Sequence, residues 1–223
     1  MRNMFDDSGL DAASFDALFR ERTGVLAGVD EAGRGPLAGP VVAAAVVLDP
    51  AAEYPGVTDS KKMKEAARTA AYEMISARAL AWAWAAVEAD EVDRLNPLHA
   101  AMKAMRLAVE KLAVKPEFLL VDGNYSPGIS IPLKTVVKGD YRSLSIGAAS
   151  IMAKVTRDRI MTDMHQVYPQ YGFDKHKGYG TAVHLKALVE HGPCPCHRLT
   201  FRGVRQDEAP AVKAEGFDFD AGR

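Results

Sequence analysis

Asp30 and Glu31 stand side by side at the end of an apolar run and lead directly into Gly33-Arg34-Gly35. Adjacent carboxylates repel, and in a regular strand neighbouring side chains point to opposite faces, so the pair is a poor structural choice. Both serve one site if the strand stops there and the chain turns, which Gly33 and Gly35 permit. Two further acids close apolar runs, Asp122 after 118–121 and Asp140 after 133–137. Singly, each reads more readily as a turn or cap residue. Together, at the carboxyl ends of strands where open α/β sheets build their sites, the four carboxylates converge in one crevice. That much negative charge calls for a cation. Four acids without a Cys/His ligand set favour Mg²⁺ or Mn²⁺ over zinc. Two such ions would activate a water on one side of a phosphodiester and stabilise the leaving oxygen on the other.

Other residues suit a polyanionic substrate. Lys61 and Lys62 follow Asp59-Ser60, read as a helix cap, and so fall in a first helical turn. There they oppose the helix dipole, which favours phosphate contact over a structural role. Tyr179 lies between Gly178 and Gly180 and reads as an exposed aromatic that stacks on a ligand. Trp82 and Trp84 share a strand face and read as core. His176 reads as a surface histidine, and Lys154, Arg157 and Arg159 as a solvated helix face.

The elements that must position these groups follow from pattern. Strands are expected over 23–30, 40–48, 80–87, 118–121 and 133–137. The unbroken run at 40–48 suits a strand buried on both faces. Helices are expected over 59–79, 98–113, 143–164 and 181–191, the third with a small-residue face at Gly147, Ala148, Ala149 and Ser150. Three early strands, then two separated by helices, give an α/β domain with a mixed five-stranded sheet and a helical C-terminal region. The expected organisation is a lead-in over 1–22, a catalytic domain over 23–205 and a mobile tail over 206–223.

Bulk properties bound the function class. The 223 residues are 48% hydrophobic and 26% charged, which is enough for a sizeable core. The longest apolar stretch, 37–48, is too short to span a bilayer, and the first residues lack the apolar segment of a secretory signal. Cys194 and Cys196 are too few for a zinc site and poorly spaced for an ordinary disulfide, so a reduced, cytoplasmic setting is expected. Net charge is −1, but residues 133–205 hold twelve Lys/Arg against five Asp/Glu, a local balance of +7. A basic C-terminal half beside an acidic centre suits nucleic acid, although a solvated basic face explains the charge equally well.

The motifs then form a known series. Gly28-Val29-Asp30-Glu31-Ala32-Gly33-Arg34-Gly35-Pro36-Leu37-Ala38-Gly39 resembles the opening motif of bacterial type 2 ribonucleases H, the ribonuclease HII family. Asp59-Ser60-Lys61-Lys62, Val121-Asp122-Gly123-Asn124, Lys138-Gly139-Asp140, the block 148–158, the block 176–181 and His197-Arg198 follow in the family's order. The resemblance covers about residues 24–205. It implies a ribonuclease H-like fold and cleavage of RNA paired with, or joined to, DNA. It implies that Asp30, Glu31, Asp122 and Asp140 are the catalytic, metal-binding acids. Gly33, Arg34 and Gly35 resemble the turn that reads a ribose 2′-hydroxyl, and Tyr179 the tyrosine that stacks on the next deoxynucleotide's sugar. A monomer is expected, with replication or repair proteins as candidate partners. A type 3 ribonuclease H and a non-catalytic hybrid-binding protein are the competing readings. The short lead-in counts against the first, and the four acids count against the second.

Overall fold

A computed structural model of the chain describes residues 9–58, 60 and 62–205. The tail expected over 206–223 therefore lies outside the described residues, as do Asp59 and Lys61.

Five strands form one sheet in the order β3-β2-β1-β4-β5. They are β1 (Leu26–Ala32), β2 (Val41–Val47), β3 (Ala81–Val87), β4 (Phe118–Asp122) and β5 (Leu133–Val136). β1–β2 and β2–β3 pair antiparallel, whereas β1–β4 and β4–β5 pair parallel, so the sheet is mixed as expected. All seven residues of β2 are buried, because helices cover both faces of the sheet. One face packs Val41, Ala43, Ala45 and Val47 against α4 (Pro97–Glu110) through Ala100, Ala104 and Ala108. The other packs Ala44 and Val46 against α6 (Leu144–Val167) and α2 (Glu65–Arg78).

The close approach of α6 to β1 is made at Gly28, which meets Ser145 and Ile146 rather than the small-residue face expected at 147–150. A Cβ on Gly28 would sit 2.1 Å from the Ser145 carbonyl carbon, so only glycine fits at that crossing. Ahead of the sheet, α1 (Ala12–Thr23) is capped by Asp11, which accepts from the Ser14 amide at 2.8 Å. It buries Phe15 and Phe19 against Leu26, Leu120, Val136 and Ile146. Its buried Asp16 accepts from Ser143 Oγ (2.6 Å), Ser145 N (2.7 Å) and Ser145 Oγ (2.6 Å), which fixes the start of α6.

Local differences from the sequence reading have physical causes. α2 starts at Glu65, not at the expected Ser60 cap. Ser60 instead turns inward, its Oγ 2.9 Å from Ser150 Oγ. Lys62 is consequently ahead of the helix, and the dipole argument for it does not apply. α3 (Ala89–Leu95), α5 (Gly139–Arg142), a 3₁₀ turn (Pro169–Tyr171) and α7 (Phe173–His176) are too short to leave a periodic signature. Trp82 meets Tyr72 edge-on at 5.8 Å, whereas Trp84 is 38% exposed, with Lys111 Nζ 5.9 Å from its ring centroid. α8 (Ala182–His191), capped by Thr181, ends the expected helical C-terminal region. Among the described residues no helix is long and apolar enough to cross a membrane.

Candidate active site

The strand carrying the first two acids does not stop at Asp30. β1 continues to Ala32, and the pairs Asp30↔Ala44 and Glu31↔Ala43 place the two side chains on opposite faces of the sheet. Ala44 belongs to the α6 side and Ala43 to the α4 side. The acids meet at the carboxyl end of the central strand because it ends one residue later, not because the chain turns between them.

Asp30 faces α6 and is 3% exposed. Its carboxylate accepts from the Glu31 amide at 2.7 Å. Burial pushes its carboxyl well above the usual carboxylate range, and the charges of Glu31 and Asp122 push it further, against a hydrogen bond with Ser150. Three of the acids expected from sequence therefore act on one another. Asp122, at the end of the parallel neighbour β4, accepts from the Gly139 amide at 2.7 Å. That bond ties it to the start of α5, where Asp140 follows, 8% exposed. The four acids come from the ends of β1 and β4 and from the short helix after β5. Their donor atoms are all carboxylate oxygens, and the upward push on the Asp30 carboxyl is what a hard divalent cation would oppose. The residues fit Mg²⁺ or Mn²⁺.

Beside the acids lies a cleft of about 460 Å³. Glu31, the Gly33-Arg34-Gly35 turn, Ser150, Lys154 and Tyr179 line it. Gly33 has φ +99°, and a Cβ there would fall 2.7 Å from the Pro40 carbonyl oxygen. Gly35 needs no glycine conformation, since its φ is ordinary and a Cβ would meet only Tyr179, at 3.9 Å. Its bareness instead keeps the cleft open. Arg34 reaches Glu31 Oε1 at 3.3 Å, with half its side chain in solvent. Tyr179, beside Gly35, is 48% exposed. Lys62 is exposed and stands 5.1 Å from the Tyr141 ring centroid. Lys61 lies outside the described residues.

Sequence reasoning missed two arginines. Arg157, read as part of a solvated face, is 1% exposed, and Arg198 is 0% exposed. Arg157 donates to the carbonyls of Pro40 (3.0 Å), Ala38 (3.1 Å) and Lys177 (3.0 Å). Arg198 donates to Gly33 (2.6 Å), Arg34 (3.0 Å) and Gly39 (2.7 and 3.0 Å). Burial lowers both guanidinium pKa values, that of Arg198 to about 9. The two side chains thus satisfy the carbonyls of the turn and of the segment after it, and so hold the turn rigid from below. A carbonyl-rich Gly/Pro turn with no secondary structure of its own was the only signal that such donors were needed.

His176 is partly buried rather than a free surface residue. It stacks on His184 with centroids 4.6 Å apart and bonds the Tyr171 carbonyl at 2.7 Å. Cys194 and Cys196, given no role from sequence beyond a reduced setting, are both 9% exposed and lie beside His197.

A model of the family described as Ribonuclease HII matches residues 27–204. A Ribonuclease HII from Burkholderia lata is 55% identical over 181 residues, covering 81% of this chain and 85% of the relative. One from Geobacter metallireducens is 52% identical over 209 residues, covering 93% and 98%. Among solved structures, the ribonuclease H2 from Pyrococcus horikoshii superposes with a TM-score of 0.71 at 28% identity, covering 82% of this chain and 96% of that one.

Proposed function

The chain belongs to the ribonuclease HII family and is a ribonuclease H, and from that premise we propose that it is a metal-dependent endonuclease. It cleaves the RNA strand of RNA–DNA hybrids and incises on the 5′ side of single ribonucleotides embedded in duplex DNA, leaving a 3′-hydroxyl and a 5′-phosphate. The observation that carries this reading is the convergence of Asp30, Glu31 and Asp122 at the carboxyl ends of the neighbouring strands β1 and β4, beside a cleft lined by both the Gly33–Arg34–Gly35 turn and Tyr179.

Each residue has a proposed task. Asp30, Glu31, Asp122 and Asp140 hold one or two Mg²⁺ or Mn²⁺ ions. Such ions supply Lewis-acid stabilisation and an activated water at a phosphodiester. The Gly33–Arg34–Gly35 turn, held by Arg198, presents backbone groups to a 2′-hydroxyl, the one group that tells RNA from DNA at a given nucleotide. A rigid turn recognises it without an ordering cost. Tyr179 packs on the following sugar and favours a deoxyribose there. Lys61 and Lys62 contact phosphates. Hybrid and ribonucleotide-containing duplex are the partners this site fits, and the protein acts in the cytoplasm.

The test is a DNA duplex with one ribonucleotide, with and without Mg²⁺, alongside a continuous RNA–DNA hybrid. We expect a single incision 5′ to the ribonucleotide that disappears with chelator. Tyr179→Ala is expected to lose most of it while metal binding, followed by calorimetry, is unchanged. An uncut embedded ribonucleotide with a digested hybrid would overturn the single-ribonucleotide reading.

A further inference from the structure

Residues 194–197 form a tight turn in which the His197 amide donates to the Cys194 carbonyl at 2.9 Å. Pro195 occupies the second position, where its fixed φ suits such a turn. The turn brings the Cys194 and Cys196 sulfurs to 2.9 Å and puts His197 Nδ1 3.1 Å from Cys194 Sγ. The donors are enclosed by Tyr171 and Phe173, whose rings lie 4.8 and 5.6 Å from that of His197.

A soft metal ion is the first alternative, since Cys194, Cys196 and His197 offer three ligand atoms close together. The hydrogen bonds weigh against it. His184 Nδ1 bonds the Tyr179 carbonyl (2.9 Å), so its Nε2 accepts from His197 Nε2–H (3.0 Å). His197 Nδ1 then carries the lone pair and accepts the Cys194 amide at 2.9 Å. Both imidazole nitrogens are engaged, and two sulfurs do not complete a structural zinc shell.

We propose that Cys194 and Cys196 are a reversible thiol–disulfide pair, a modification site whose state is transmitted to the Gly33–Arg34–Gly35 turn. The two sulfurs are unequal. The Cys196 thiol donates to Cys194 and, with His197, lowers the Cys194 pKa, while the same bond raises that of Cys196. Cys194 is therefore the nucleophile and Cys196 the resolving thiol. The oxidant is a peroxide. The Cys194 thiolate attacks one peroxide oxygen, forming an S–O bond as the O–O bond breaks, and the departing hydroxide leaves as water after taking the proton that the Cys194 thiol released. Cys196 sulfur then attacks the sulfenic sulfur, and the hydroxyl leaves as a second water with the Cys196 proton. Two thiols are oxidised, one peroxide is reduced, and a thiol reductant reverses the change by exchange.

Transmission follows the backbone. The Cys196 carbonyl accepts from Gly39 N at 2.8 Å, and Arg198 N donates to the Leu37 carbonyl at 2.8 Å. Two residues past Cys196, the Arg198 side chain holds the carbonyls of Gly33 and Arg34. Pulling the sulfurs to bonding distance re-aims this turn and with it the donors beneath the cleft.

The test begins with reduced, desalted protein treated with a small excess of hydrogen peroxide. The tryptic peptide 187–198, which lacks methionine, is expected to lose two hydrogens in mass, and dithiothreitol is expected to restore it. Cys196→Ser is expected to give an oxygen adduct on that peptide instead. Peptides that keep two alkylatable thiols after peroxide would overturn the pair. So would purified protein holding one equivalent of zinc or copper through these cysteines. The KM for an RNA–DNA hybrid is expected to rise several-fold on oxidation and to recover with reductant, but not to change in Cys194→Ser. A disulfide with unchanged KM would overturn the coupling. The KM arm rests on the proposed activity and the mass arm does not, so the two fail separately.

Discussion

Asp30 illustrates how a functional residue opposes stability. A buried carboxyl beside two like charges holds its proton in the folded chain at pH values where the unfolded chain has released it. The native state then binds more protons than the unfolded state across that window. Stability is therefore full below the unfolded carboxyl's pKa and is lost as pH rises through the higher folded value. Asp30→Asn removes that loss. In chelator, its melting temperature is expected to exceed wild type by several degrees at pH 8, on the scale of about 2–4 °C per kcal/mol for a chain this size, with the gain shrinking at pH 4. Activity is expected to fall by about a hundredfold or more, since even partners that only orient a metal's ligands are worth about 10–100-fold. Calorimetry at the two pH values checks it. An equal gain at both would assign the effect to packing, and near wild-type turnover would remove Asp30 from the site.

Among the elements, the crossing of α6 over β1 does the most to position the acids, and it depends on Gly28. The nearest atoms to a Cβ there are backbone, Ser145 C at 2.1 Å and Ile146 N at 2.4 Å, so the helix itself must shift. Gly28→Ala is expected to destabilise by about 1–3 kcal/mol and to lower kcat as well, because β1 carries Asp30 and α6 carries Ser150. Urea unfolding with hybrid cleavage checks both, and a change in stability without one in kcat would separate packing from positioning. This level of structure was largely legible in the sequence. All five strands and four of the five described helices of ten or more residues were readable because their apolar patterns span several turns or pleats, whereas α1 was read only as a lead-in; Asp122 closes β4 as read, and Asp140 lies beyond β5, in α5. Ser60 was misread as a cap because its buried partner, Ser150, lies ninety residues away. Arg157 and Arg198 were missed for the same reason. A charged residue reads as solvated until the carbonyls it satisfies, here up to 165 residues distant, are brought under it.

For the whole molecule, the count of basic residues overstates the field that a polyanion meets. Of the twelve cations over residues 133–205, Arg157 and Arg198 face inward as carbonyl donors, and Lys154 pairs with Asp158 at 2.7 Å. The net charge of −1 supplies no general attraction. Affinity must then come from a few cations around the cleft, such as Lys62 and Arg34. Each phosphate contact releases counterions and adds about 0.9 to the slope of log affinity against log salt for a B-form duplex. Binding of an RNA–DNA hybrid in Ca²⁺, measured by anisotropy over a salt series, is therefore expected to show a shallow slope of a few contacts. Lys62→Ala is expected to reduce that slope by close to one contact, with kcat at saturating substrate nearly unchanged, because positioning lost in binding is recovered at saturation. A slope as steep as that of a strongly basic nuclease would mean that a broader basic surface engages the duplex. An unchanged slope in Lys62→Ala would return Lys62 to a structural role beside Tyr141.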